Sequence, residues 1–482
     1  MARSWVNSAE GLGSDLHLEL EKAGAGSRRA VLMRALREAV RSGRLAPGTR
    51  LPPYRSLAAD LGLARNTVAD AYAELVAEGW LTARQGSGTR VAQRAEPAAP
   101  VRRARTPARA TRPAYDLVQG RPDPSVFPRG AWLASARRAL TAAPHDAFGP
   151  GDPRGRAELR QALAEYLARV RGVRADAGRI VLCSGAAHAL RLLAEVVGGT
   201  WAVEEYGLPF HRALLTGEGV RTVPVGVDGG GARVDELAGP KAVLLTPAHQ
   251  FPTGGPLRPE RRAAVVDWAR ATGGLVLEDD YDGEFRYDRQ PVGAVQGLDP
   301  DHVVLIGSVS KSLSPTLRIG WMVLPERLVD DVAAAKGERE QWSSATEQLT
   351  LADFVASGAY DRHVRRMRQR HRRRRDRLVA VLAERAPHVR VTGIAAGLHA
   401  VLELPPGTER AVVKAAAWQG LAVEGLSDYR HPGSVRGTGA GDGSGDSAGG
   451  GGRDGLVVGY STPAEHLYAG ALDALCRALP PA

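Results

Sequence analysis

Residues 303–315 read VVLIGSVSKSLSP. Four consecutive apolar residues, three of them β-branched, make a strand covered on both faces. The Gly-Ser-Val-Ser-Lys that follows has no apolar period, so Lys311 sits in a loop at the strand's carboxyl end. Three other short runs end in the same way: RIVLCSG at 179–185, KAVLLTP at 241–247 and GLVLEDD at 274–280. Amphipathic stretches of helical period separate them. The pattern predicts a mostly parallel α/β sheet whose strand ends open onto one ligand crevice.

Lys311 stands out against the composition. The chain has 482 residues and 64 Lys+Arg, yet its lysines are only Lys22, Lys241, Lys311, Lys336 and Lys414. Arginine does not deprotonate to a nucleophile, so a lysine kept among hydroxyls at a strand end points to amine chemistry. At 278–282 the sequence is Glu-Asp-Asp-Tyr-Asp; acids at a strand end suit a ligand crevice and, taken alone, would also suit a metal. Residues 184–190, SGAAHAL, form a small-residue turn opening a helix whose free amides can hold a phosphate; taken alone, the turn would equally suit tight strand-to-helix packing. An amine, a carboxylate and a phosphate cradle on neighbouring strands are together what pyridoxal 5′-phosphate requires: a Schiff base, a partner for the pyridine nitrogen and an anchor.

The charge lies elsewhere. Residues 27–112 contain 17 arginines and six acids, an excess of +11 that equals the net charge of the whole chain. A basic unit on a neutral body is the footprint of a phosphate-backbone binder. Apolar spacing gives a helix over 30–42; Ser56 can cap a short helix over 57–61 that ends at Gly62; a second helix covers roughly 66–78. This is helix-turn-helix spacing, with Arg65, Asn66 and Thr67 at the end that meets base edges. WLTARQGSGTRVAQ (80–93) reads as two strands around a Gly86-Ser87-Gly88 turn, a wing. The domains are therefore 15–93, a Pro/Ala/Arg linker at 94–113, and a body over 114–482 interrupted by a Gly-rich, disordered loop at 431–453. A run of ten arginines in residues 362–377 keeps apolar spacing at Val364, Met367, His371 and Leu378, so it reads as an amphipathic helix with a solvated basic face rather than a second DNA-binding element. Two cysteines make neither a disulfide framework nor a multi-cysteine metal site, no metal is expected, and no apolar run approaches the ~18 residues of a membrane span, so a cytoplasmic location is expected.

These motifs carry a resemblance. GRLAPGTRLPPYRSLAADLGLARNTVADAYAELVAEGWLTARQGSGTRV resembles a GntR-type winged helix-turn-helix. GDPRGRAELRQALAEYL, TPAHQFPTG, LEDDYDGEFRY, GSVSKSLSPTLRIGW and ASGAYDRHVRRMR resemble a fold-type I PLP-dependent aminotransferase. Their order is that of the MocR subgroup of GntR regulators. The resemblance implies that Lys311 forms the internal aldimine and Asp279 meets the pyridine nitrogen. It places Tyr281 near the ring hydroxyl and Gly185, Ala186, Ser308, Ser310 and Arg318 around the phosphate. It sets Arg55, Arg65, Asn66, Thr67, Gly86 and Gly88 against double-stranded DNA. The implied protein is a homodimeric regulator on paired half-sites that senses pyridoxal phosphate or an amino compound; the alternative is a working aminotransferase with an appended DNA-binding domain.

Four positions depart from the aminotransferase pattern. Leu208 stands where an aromatic covers the ring, Phe251 where an asparagine is usual, and Pro150 where a tyrosine reaches the partner's phosphate. The last strand, LVVGYS, lacks the substrate-carboxylate arginine. Stacking is then expected from Tyr206 or Phe210, carboxylate binding from Arg430 or Arg453, and turnover is expected to be slow or absent.

Overall fold

The computed structural model describes residues 26–84, 87–93, 113–174, 176–287, 293–338, 343–434 and 453–481. The chain divides into two compact units between Ala110 and Thr111.

In the first unit α1 (Arg28–Arg41), α2 (Tyr54–Leu61) and α3 (Arg65–Ala77) precede a hairpin of β1 (Leu81–Arg84) and β2 (Gly88–Val91). Leu32, Leu36, Leu57, Val68, Tyr72, Leu75, Leu81 and Val91 form its core. Each such side chain contributes roughly 1.5–3 kcal/mol on burial. Gly62 ends α2 in the left-handed region, at φ 63°, as expected of a C-terminal glycine. Ser56 does not cap α2: the helix starts at Tyr54 behind Pro53, whose fixed φ suits the entry, so Ser56 lies inside it and is exposed. Gly86 and residues 94–112 of the linker lie outside the described residues.

The body is built on seven strands: β3 (Ile180–Cys183), β4 (Thr200–Glu204), β5 (Arg221–Val225), β6 (Ala242–Leu245), β7 (Leu275–Asp279), β8 (Val303–Ser308) and β9 (Gly320–Val323), in the order β3-β9-β8-β7-β6-β4-β5. Only β9 runs against its neighbours, so β3, β4, β6, β7 and β8 end at the same edge. Val304 and Ile306 pack on one face, while Val303 and Leu305 pack on the other. That two-sided burial is why the strands read as unbroken apolar runs. An antiparallel sheet of Arg390–Thr392, His399–Glu403, Gly455–Gly459 and Glu424–Gly425 adds a smaller layer.

Two helices shape the crevice edge, α4 (Ala186–Val197) after β3 and α5 (Pro209–Gly217) after β4, and the arginine-rich segment is α6 (Ala359–Arg385). The α6 helix buries His363, Val364, Met367, Arg370, His371, Arg374, Leu378 and Leu382, the three-and-four spacing read from sequence. Two of its arginines are structural. Arg370 meets Asp123 at 2.7 Å, and Arg374 meets Glu465 at 2.9 Å and the carbonyl of Pro463 at 2.7 Å.

At the Gly-rich segment, His431 is buried; its amide donates to the Glu205 carbonyl at 2.7 Å and its ring lies 3.1 Å from the Thr222 hydroxyl. His431 thus belongs to the folded body, and residues 435–452 of the expected loop lie outside the described residues.

Candidate functional site

The strand ends enclose a cavity of about 410 Å³ lined, among others, by Gly185, Ala186, Asp279, Tyr281, Ser308, Ser310, Lys311 and Arg318. All eight cofactor positions expected from the sequence therefore meet in one place.

Lys311 is held by its loop. Val309 and Leu313 are buried anchors, and the Leu313 amide closes on the Val309 carbonyl at 2.8 Å. The α6 helix braces the same turn: the Ser312 hydroxyl meets Tyr360 at 2.7 Å, and His363 Nε2 lies 2.7 Å from the Ser312 carbonyl. Burial pulls the His363 ring down to about 4, and because Nδ1 accepts from the Arg366 guanidinium at 3.1 Å, Nε2 carries the proton that goes to the Ser312 carbonyl. Lys311 Nζ donates to the carbonyl of Gly120 at 2.6 Å. A Cβ on Gly120 would stand 2.9 Å from that nitrogen, and the residue has φ +80°, so glycine is required there. Burial lowers the Lys311 amine from its ordinary range, opposed by Asp279 and Asp282, which favours the uncharged, nucleophilic form.

Asp279 ends β7 inside the body. Burial, followed by the charge of Asp280, pushes its carboxyl up to about 7, with Lys311 pulling the other way. Asp280 is turned aside by Arg171, whose guanidinium meets it at 2.8 and 3.0 Å. A carboxyl so raised gains from an opposite charge brought next to it, and a protonated pyridine nitrogen supplies one. The sign of the pH effect follows. Asp279 binds more protons folded than unfolded, so its contribution to stability is present below about 4 and is lost as pH rises through about 7. Thermal melts of the cofactor-free protein should fall from pH 5 to pH 8, and Asp279→Asn should make that fall shallower; an unchanged slope would count against this placement of Asp279.

The side of the cavity expected to take a phosphate is built from small residues and strain. Gly185, at φ +119°, opens α4, whose first amides have no acceptor within the helix. A Cβ on Gly320 would lie 2.7 Å from the Gly185 Cα, so β9 packs directly under the turn. Arg318 is the one non-glycine residue at positive φ among the described residues, at 54°. An L-residue held there costs roughly 1–2 kcal/mol, and the conformation sets an exposed guanidinium at the cavity.

Tyr281 donates its hydroxyl to the carbonyl of His249 at 3.0 Å, and His249 Nδ1 lies 2.8 Å from Asp282. Donor atoms of His249, Asp282 and His399 lie within 4.8 Å of one another, but here His249 is bonded to Asp282 and His399 to the Pro252 carbonyl at 3.0 Å. They form a hydrogen-bonded bracket behind Tyr281. Nothing in the sequence between 249 and 399 signals that contact.

Four expected residues are corrected. Arg430 does not line the cavity, because its Nε is bonded to Glu205 at 2.9 Å; Arg453 is paired with Glu403 at 2.8 Å. Tyr206 is buried away from the cavity, and Phe210 points outward, 59% exposed. In their place the cavity receives Arg121, His211, Arg212, Glu204 and Thr246, none singled out from sequence. The Arg212 guanidinium is taken up by the carbonyls of Gly207, Tyr429 and Arg430. Arg121 is exposed and, among the described residues, its side chain pairs with Asp116 alone, at 3.3 Å. Burial pushes Glu204 up to about 7 while its carboxyl accepts from Thr246.

On the first unit, Arg55 lies in the first turn of α2, and Arg65, Asn66 and Thr67 form the first turn of α3. Arg55, Arg65 and Asn66 are exposed and Thr67 is half-buried. Gly88, at φ +78°, opens β2 against Arg50.

Known proteins match both units. Residues 29–91 match the family described as bacterial regulatory proteins, gntR family, and residues 123–442 match aminotransferase class I and II. The chain is 34% identical over 403 residues to the pyridoxine biosynthesis transcriptional regulator PdxR of Corynebacterium glutamicum, covering 83% of this chain and 88% of that protein. It is 32% identical over 422 residues to the probable rhizopine catabolism regulatory protein MocR of Rhizobium meliloti, covering 82% and 86%. A kynurenine aminotransferase of Pyrococcus horikoshii superposes with a TM-score of 0.67 at 22% identity, covering 77% of this chain and 91% of that one. That likeness shows the fold, one whose members use pyridoxal phosphate, and the cavity residues here fit that cofactor. The chain belongs to the MocR group of GntR-family regulators, in which a winged helix-turn-helix is joined to an aminotransferase class I and II domain.

Proposed function

We propose that this protein is a homodimeric transcription regulator whose body binds pyridoxal phosphate, and that the cofactor or an amino compound in the cavity changes how its winged helices hold DNA. One observation carries the reading: Lys311 and Asp279 line one cavity in a chain that also exposes Arg65 and Asn66 at a helix start. Relatives named for pyridoxine biosynthesis and rhizopine catabolism support a regulator over a free-standing aminotransferase.

The bound cofactor supplies an aldehyde that amines can join and a ring that accepts electrons. The protein's part is placement. Lys311 would provide the amine, its charge disfavoured by burial, Asp279 a carboxyl for the ring nitrogen, and Tyr281 a hydroxyl for the ring oxygen. The α4 amides at Gly185 and Ala186, with Ser308, Ser310 and Arg318, take the phosphate. Arg121, at the cavity and weakly tied, takes the role of carboxylate partner for an amino compound. A ligand shifts DNA binding only by its difference in affinity between two arrangements of the protein.

A dimer presents two α3 helices, so the sites should be paired and spaced by about one or more helical turns of ~34–36 Å. Footprinting on intergenic DNA beside the gene, with and without pyridoxal phosphate, should show two protected half-sites that respond to the cofactor. A single protected half-site, or protection indifferent to the cofactor, would contradict the proposal.

A further inference from the structure

The α5 helix makes one wall of the cavity through Leu208, His211, Arg212 and Leu215, positions three or four apart that share a helix face. Three rings reach the cavity: Phe251, Tyr281 and His211. Two of these belong to one aromatic block. Phe251 and Tyr281 meet edge-on at 5.8 Å, and His399 packs against them at 5.2 and 6.5 Å. His211 stands apart from that block, near only the ring of its neighbour Phe210, at 6.1 Å.

Its chemistry suits a flat, electron-poor partner. Burial, with the nearby charges of Lys311 and Arg212, pulls the imidazole down to about 4, so at neutral pH it is an uncharged ring. It adds no positive charge beside Lys311 or beside a protonated pyridine. Leu208, which caps α5 at the position where the resemblance implies an aromatic, offers no π face.

We infer that His211 is the cofactor-ring contact in this chain, its imidazole lying against the pyridine ring from the α5 wall. The assignment rests on the cofactor reading above. It accounts for the loss of the aromatic at Leu208: the ring is supplied one helical turn later.

The test is an equilibrium titration of the cofactor-free full chain with pyridoxal phosphate, read by visible absorbance and by visible circular dichroism, for wild type, His211→Gln and His211→Phe. Gln keeps a polar side chain but removes the ring; Phe keeps a ring without the nitrogens. His211→Gln should bind about 3- to 10-fold more weakly and lose dichroism of the bound cofactor, and His211→Phe should return to within about twofold of wild type. Wild-type affinity in His211→Gln, or equal weakness in both variants at unchanged melting temperature, would overturn the assignment alone. A wild type that takes up no cofactor would instead overturn the cofactor reading, and His211 with it.

Discussion

Lys311→Ala will leave a folded protein that cannot retain pyridoxal phosphate through dialysis, whereas the wild type will keep its visible absorbance. The expectation rests on the absence of a substitute. Of the other described lysines, Lys241, Lys336 and Lys414 do not line the cavity. Lys336 is also buried, but it lines a different cavity and donates to the Pro153 carbonyl. Removing the Lys311 amine deletes one hydrogen bond to Gly120, a loss of about 1 kcal/mol that a body of this size absorbs. Lys311→Arg should fail equally, because a guanidinium keeps the charge without the free electron pair. Absorbance that survives dialysis in Lys311→Ala would mean that the cofactor is not covalently held by this residue.

Arg65→Ala is expected to weaken binding to the cognate DNA by about 1–3 kcal/mol, roughly 5- to 150-fold, with discrimination between sites reduced. Arg65 opens α3, is exposed, and forms no ion pair among the described residues, so its side chain is available to a base edge. Arg37 is a suitable control: it lies in the same basic unit but is held by Glu78 through Nε at 2.9 Å, and Arg37→Ala should change affinity far less. Competition binding at two salt concentrations separates the cases, since loss of a phosphate contact lowers the salt slope by about 1 whereas loss of a base contact mainly lowers specificity. Equal effects of the two substitutions would argue that α3 does not read the groove.

Both units were largely legible in the sequence because their signals are local. Strand runs, helix periods and a glycine stop at Gly62 are set by neighbours within a few residues. Lys311 was legible because arginine had replaced nearly every other lysine. What stayed hidden depends on partners far along the chain. Arg430 and Arg121 look alike as sequence, and only the fold shows that Glu205 holds one while the other reaches the cavity. The abundance of arginine made this harder, since Arg370, Arg374 and Arg171 are spent on buried acids and carbonyls. His211 was missed for a related reason: attention to aromatic residues near Leu208 favours Tyr206 and Phe210, yet helical geometry turns position 211 to the cavity. The start of α2 differed because Pro53 fixes the entry three residues ahead of the expected cap Ser56.

Linkage gives the strictest check on a cavity that governs DNA binding. Measured on the full chain at fixed salt, DNA affinity with saturating pyridoxal phosphate should differ from that of the cofactor-free protein by about 5-fold or more, and DNA should shift cofactor affinity by the same factor. Superimposable DNA-binding isotherms with and without cofactor, in a protein that demonstrably binds both, would contradict it.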